Sequence, residues 1–190
     1  MKDFGLLILR LTVGGLLAGH GGQKLFGWFR GPGLQKAGGW MESLGLRPGQ
    51  RWAAAAGMGE FTGGLLTALG FLSPVGPISM FGPMIVAWGK VHKDKPIWAS
   101  EGGAELPMTN IAVAAALALT GPGKYSLDSM LGMRPGPFVT ALAAAAVAAG
   151  TAMVFTQPEP EQERAESADQ SEPAQQSSET RQPQAVGVST

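Results

Sequence analysis

The sequence has no cysteine, only two histidines and a single tyrosine among its 190 residues, and charged side chains make up just 15% of it. The missing cysteine removes disulfides, thiolate catalysis, dithiol exchange, Cys-ligated iron–sulfur centres and attached c-type haem. With only His20 and His92 as imidazoles, no metal site is predicted. Bis-histidine haem ligation by that pair is weighed and set aside, because two lone histidines at helix ends carry little information. No cluster of Lys/Arg interleaved with exposed aromatics is present, which excludes nucleic acid as a partner. The formal net charge of zero hides an asymmetry: the first 155 residues hold 12 Lys/Arg against 7 Asp/Glu, and the last 35 hold 2 against 7.

What is abundant is apolar residues in long runs. Five segments approach or reach bilayer length, about 20 residues at 1.5 Å each: 4–20, 53–72, 75–91, 106–120 and 138–155. They are apolar around their whole circumference rather than striped, which argues for lipid over a soluble bundle. The expected fold is all-α: a membrane four-helix bundle over 1–135, an additional transmembrane helix over 136–155 and a disordered acidic tail over 156–190. The tail is rich in Glu, Gln, Ser and Pro and cannot bury a core of its own. Arg10 interrupts the first apolar run, so a cleavable signal peptide is not expected.

Between the first two segments, Leu34, Ala37, Trp40, Met41 and Leu44 recur at helical spacing and predict a short interfacial helix. Lysine and arginine set the orientation. Ten of them fall in the first and third loops and the tail, whereas only Lys2, Lys124 and Arg134 fall on the other side. The positive-inside rule then places the long loops and tail in the cytoplasm of a multi-pass plasma-membrane protein.

The polar residues inside the apolar runs are the candidate site. Counted from the presumed helix ends, Arg10 and Glu60 lie at matching depth on consecutive antiparallel helices. An unpaired mid-membrane charge costs about 2.5–3.5 kcal/mol, so the two are expected to face each other. Gly15 with Gly19, and Gly59 with Gly63, would let the backbones approach. Such a pair either fixes helix register or forms the charged element of a ligand pocket. His20, Lys24, His92 and Glu105 gather at the cytoplasmic mouth, beside Lys90 and Glu101, and would suit an anionic or quinone-like headgroup and its protons. The alternative is that these groups are solvated at the interface.

In order, "LLILRLTVGGLLAGHGGQKLFGWF", "GLQKAGGWMESLG", "GMGEFTGGLLTALGFLSPVG", "EGGAELPM" and "LALTGPGKYSLD" make the chain similar to the DoxX family of small bacterial membrane proteins. The resemblance covers about residues 6–128. It implies a four-helix membrane bundle related to the small subunit of an archaeal thiosulfate:quinone oxidoreductase, with Arg10, His20, Lys24, Glu60 and Glu105 as the family's polar signature. The fifth apolar segment and the acidic tail depart from that pattern. The resemblance implies a redox-associated subunit, uncertain as an enzyme on its own, that binds a quinone or a small anion in a polar pocket of Arg10, His20, Lys24, Glu60 and Glu105, to which the residue pattern adds His92. Its partners would be the lipid bilayer, a soluble redox enzyme and further copies of the chain. The alternatives are a non-catalytic platform that recruits a soluble enzyme and a small-molecule transporter.

Overall fold

The structure is a computed structural model that describes residues 1–158; the predicted acidic tail lies, beyond Pro158, outside the described residues. The described residues are helical with no strand. Helix α1 runs Lys2–Phe26 and widens into a π-type turn over Arg10–Gly14. Helix α2 spans Gly33–Ser43 and α3 Gly49–Leu69. Helix α4 spans Val75–Val86 and continues as a π-type turn over Ala87–Val91. Helix α5 spans Glu105–Thr120, α6 Leu127–Leu131 and α7 Pro137–Phe155. Helices α1 and α7 are long and apolar enough to cross a membrane, and α5 is a shorter apolar helix.

Helices α1 and α3 make the tightest contact, and small residues permit it. A Cβ added to Gly14 would meet the Gly64 carbonyl and Ala68 backbone, one on Gly21 the Gly57 carbonyl and Phe61 backbone, and one on Gly64 the Ala18 backbone. These pairs fix an antiparallel register in which residue 14 lies beside 68 and residue 21 beside 61. The expected small-residue face is therefore corrected. Gly15, Gly19 and Gly59 meet nothing, while Gly63 packs on Ser79 of α4. Burial of Arg10 sets the phase: Arg10, Gly14, Leu17, Ala18 and Gly21 share the buried face, and Gly15 sits about 100° round the helix from Gly14.

Two predicted ends also move. Helix α1 continues past His20 to Phe26, because Gly21 packs on α3 and Gly22 lies under the Trp28 ring, and it stops at the left-handed Gly27. Helix α3 begins four residues before Ala53, at Gly49, whose N–H donates to the Glu42 carboxylate at 3.0 Å. It ends at Gly70, also left-handed.

Helix α4 packs antiparallel on α3 through Gly76 against Thr67 and Ser79 against Gly63. Met80 is fully buried with Leu17 and Ala114, which joins α1, α4 and α5 in one core. The helix expected between the first two apolar segments forms as α2, its Ala37 and Met41 packed with Leu46, Ala53 and Val154 while Trp40 stays exposed. Helix α7 rests on α4, adds Val154 to the α2–α3 cluster and is otherwise almost unburied, with Phe138, Leu142 and Met153 facing outward. A helix this apolar and this exposed suits a lipid surroundings rather than water.

Candidate functional site

The polar residues separate into three groups. The first joins α1 to α3. Lys24 lies on the last turn of α1 and Glu60 in the middle of α3, and Nζ meets Oε2 at 2.5 Å. The register explains the meeting, since Glu60 stands beside residue 22 and Lys24 is half a turn further on. Gly57, one turn before Glu60, gives the Lys24 Cβ and Leu25 room to lie against α3. The Glu60 side chain is 8% exposed and that of Lys24 20%, so the pair sits in low dielectric with only its ammonium end partly open.

Residues next to this pair in sequence carry aromatic rings. Phe61, next in sequence to Glu60, stands edge-on to Phe26 at 5.6 Å between centroids and to Trp28 at 5.7 Å. Phe26 and Trp28 lie 5.0 Å apart, and Phe29 meets Trp28 edge-on. A carboxylate, an ammonium group and four neighbouring rings thus come from the same two stretches of chain, 24–29 and 60–61. His20 precedes Lys24 by one helical turn but is exposed on the α1 surface.

The second group organises the 92–105 loop. His92 donates its Nδ1–H to the Gly102 carbonyl at 2.5 Å, and the Glu105 carboxylate accepts from the Ala99 N–H at 2.9 Å. The Glu105 N–H itself donates to the Ile97 carbonyl at 2.9 Å. These residues hold the loop shape. By the α3–α4 register, His92 stands level with about residue 50 of α3, and His20 with about residue 62. That separates the imidazoles by roughly 18 Å along the bundle, too far for one haem iron. Among the described residues no three His, Asp or Glu side chains are grouped to hold a metal ion.

The third group surrounds Arg10, at the opposite end. Arg10 is 2% exposed. Its Nη2 donates to the Tyr125 carbonyl, and Asp128 supplies the neighbouring negative charge. The predicted Arg10–Glu60 pair is therefore wrong: each has another partner. The α1–α3 register places Arg10 beside residue 72, roughly 18 Å along α3 from Glu60. The matching depths depend on helix ends at residues 20 and 53, whereas α1 runs on to Phe26 and α3 starts at Gly49.

Asp128, 3% exposed, clamps the α3–α4 turn, accepting from the Leu72 and Ser73 N–H groups at 2.8 Å each. Its own N–H donates to the Gly70 carbonyl at 3.1 Å. Leu72 needs such a clamp, because it holds φ +51°, a region that costs a non-glycine residue about 1 kcal/mol or more. Gly70 lies directly against the guanidinium, leaving no space for a side chain. A concavity of about 360 Å³ opens beside Asp128, lined also by Ser73, Ser129 and Arg134. Nε and Nη1 of Arg10 find no hydrogen-bond partner.

Sequence reasoning missed Tyr125, Asp128 and Gly70. One signal was available. Arg10 is only eight residues from the start of α1, nearer the end where "GKYSLD" supplies a carboxylate than the end where Glu60 stands.

Residues 5–93 match the family model described as DoxX, spanning α1 to α4 and both residues of the Lys24–Glu60 pair. No curated protein and no solved structure gives a match to this chain.

Proposed function

The chain belongs to the DoxX family of membrane proteins through residues 5–93, and from that premise we propose that it is a redox-associated membrane subunit. It binds a quinone-like headgroup at the Lys24–Glu60 pair, beside Phe26, Trp28 and Phe61. The observation that carries this reading is the near-buried ion pair, with an aromatic cluster built from the adjacent residues Phe26, Trp28 and Phe61. The residues fit such a group: Lys24 donates to a carbonyl oxygen, Glu60 exchanges a proton with it, and the rings offer faces for an aromatic headgroup. Arg10, which the sequence suggested as a second oxygen ligand, has no part in this site, being spent on Tyr125 and Asp128.

A bound quinone supplies two-electron chemistry, while this chain binds and orients it and moves protons. No cysteine is available for an iron–sulfur centre or a thiol relay, so the electrons come from a soluble redox partner at the loop side. The reading includes a multi-pass plasma-membrane topology with the long loops in the cytoplasm, supported by the lysine and arginine bias.

The test is purification in mild detergent, solvent extraction and quantitation of lipophilic redox compounds. The expected result is about one quinone per chain, lost in Glu60→Gln and Lys24→Met while helicity is kept. If no redox compound is found and a soluble protein instead co-purifies through the loops, the chain is a membrane platform and the quinone reading is wrong.

A further inference from the structure

We propose that the concavity beside Asp128 binds one phospholipid headgroup carrying a primary ammonium, with the ammonium held by Asp128 and the phosphate by Arg134. The concavity, of about 360 Å³, takes its polar wall from Ser73, Asp128, Ser129 and Arg134. Asp128 has acceptor capacity left. A carboxylate offers about four lone-pair sites, and the Leu72 and Ser73 N–H groups take two of them. Arg10 takes none, because its hydrogen bond goes to the Tyr125 carbonyl. Arg134 is exposed, and among the described residues its guanidinium has no hydrogen bond and no ion pair. The Ser73 and Ser129 hydroxyls are equally uncommitted among the described residues.

Opposite charges in one cleft select a zwitterion. A simple anion would meet the Asp128 carboxylate, and a simple cation would meet Arg134 as well as the buried Arg10 beside Asp128. Depth fits the order of groups in a phospholipid. Asp128 is 3% exposed and lies deep, whereas Arg134 is at the surface. The ammonium, the outermost group of such a headgroup, enters first, and the phosphate beside the glycerol stays at the mouth. Exposed apolar side chains stand close by in the chain. Met130 and Leu131 fall between the lining residues Ser129 and Gly132, and Phe138 follows in the first turn of α7. Such residues next to a polar cleft suit acyl chains rather than water. Apart from Ser73 the cleft lies outside residues 5–93, at the opposite end of the bundle from Lys24 and Glu60, so the inference does not rest on the quinone reading.

The experiment titrates the full detergent-purified chain with phosphatidylethanolamine, phosphatidylcholine and phosphatidylglycerol of one acyl composition, and with soluble phosphoethanolamine. Bound ligand is read by native mass spectrometry. Phosphatidylethanolamine is expected to bind about tenfold tighter than phosphatidylcholine, whose trimethylated nitrogen has no N–H to give Asp128, the worth of one hydrogen bond to a charged group. Arg134→Gln is expected to weaken phosphatidylethanolamine by about tenfold, and Ser129→Phe, which fills the cleft, to abolish the preference. Both positions are exposed, so each variant is expected to keep its helical spectrum. Glu60→Gln, at the other end of the bundle, is expected to bind the lipid as the native chain does. Equal affinity for phosphatidylethanolamine and phosphatidylcholine overturns the proposal, as does a preference for phosphatidylglycerol, which would mark a plain anion site. Undiminished binding in Arg134→Gln, or soluble phosphoethanolamine bound as tightly as the lipid, overturns it too.

Discussion

Replacing Asp128 with alanine removes the carboxylate that ties three parts of the bundle together. Two hydrogen bonds at 2.8 Å to the Leu72 and Ser73 N–H groups are lost, each worth about 1.5–3 kcal/mol to a charged acceptor. The substitution also strips Arg10 of its counter-charge while leaving the guanidinium buried on the Tyr125 carbonyl alone. Breaking a buried pair from one side costs about 3–5 kcal/mol, and the two effects overlap because one carboxylate serves both. A total loss of about 4 kcal/mol follows for Asp128→Ala. Asp128→Asn keeps one acceptor oxygen and should lose about 2 kcal/mol. Reversible unfolding in mixed micelles with rising sodium dodecyl sulfate measures both. The double variant Arg10→Met/Asp128→Ala removes the stranded charge as well and should recover at least about 1 kcal/mol of the additive sum. Losses that simply add, or an Asp128→Asn protein within about 0.5 kcal/mol of the native one, would refute the coupling of Arg10 to Asp128.

Other consequences follow from the same geometry. Gly21→Leu or Gly64→Leu should force α1 from α3 and cost more than about 3 kcal/mol, whereas Gly15→Leu and Gly19→Leu should stay within about 0.5 kcal/mol; the same unfolding assay separates the two sets. Gly70→Ala meets both a left-handed backbone and the Arg10 guanidinium, and should lose at least about 2 kcal/mol. His92→Phe removes the bond to the Gly102 carbonyl, so amide exchange across the 92–105 loop should quicken roughly fivefold, as loss of about 1 kcal/mol of local stability implies.

The long apolar runs made the helices legible, because in an all-round apolar sequence the backbone has no alternative but to satisfy itself internally. Helix ends were harder. Gly21 and Gly22 look like breakers in the sequence, yet in the bundle they are the places where α3 and Trp28 come closest. The same glycines carry the rotation of α1, which spacing alone leaves open: Gly14 and Gly15 fit a four-residue repeat equally well, and only the burial of Arg10 chooses between them. Two of the six candidate site residues, Lys24 and Glu60, do meet, but in a pairing that depends on helix stagger. Asp128 was out of reach for a different reason. It arrives from the α5–α7 connection, outside the apolar segments, and no local pattern links it to Arg10.

The proposed ligand site lies at the Lys24–Glu60 end of the bundle. A photoreactive quinone analogue, irradiated with the purified chain and mapped by peptide mass spectrometry, tests that placement directly. Adducts are predicted within residues 20–29 and 57–61, displaced by excess unlabelled quinone and lost in Glu60→Gln. Adducts concentrated at residues 121–134 around Arg10 and Asp128, or spread along the outward face of α7 and untouched by competitor, would contradict it.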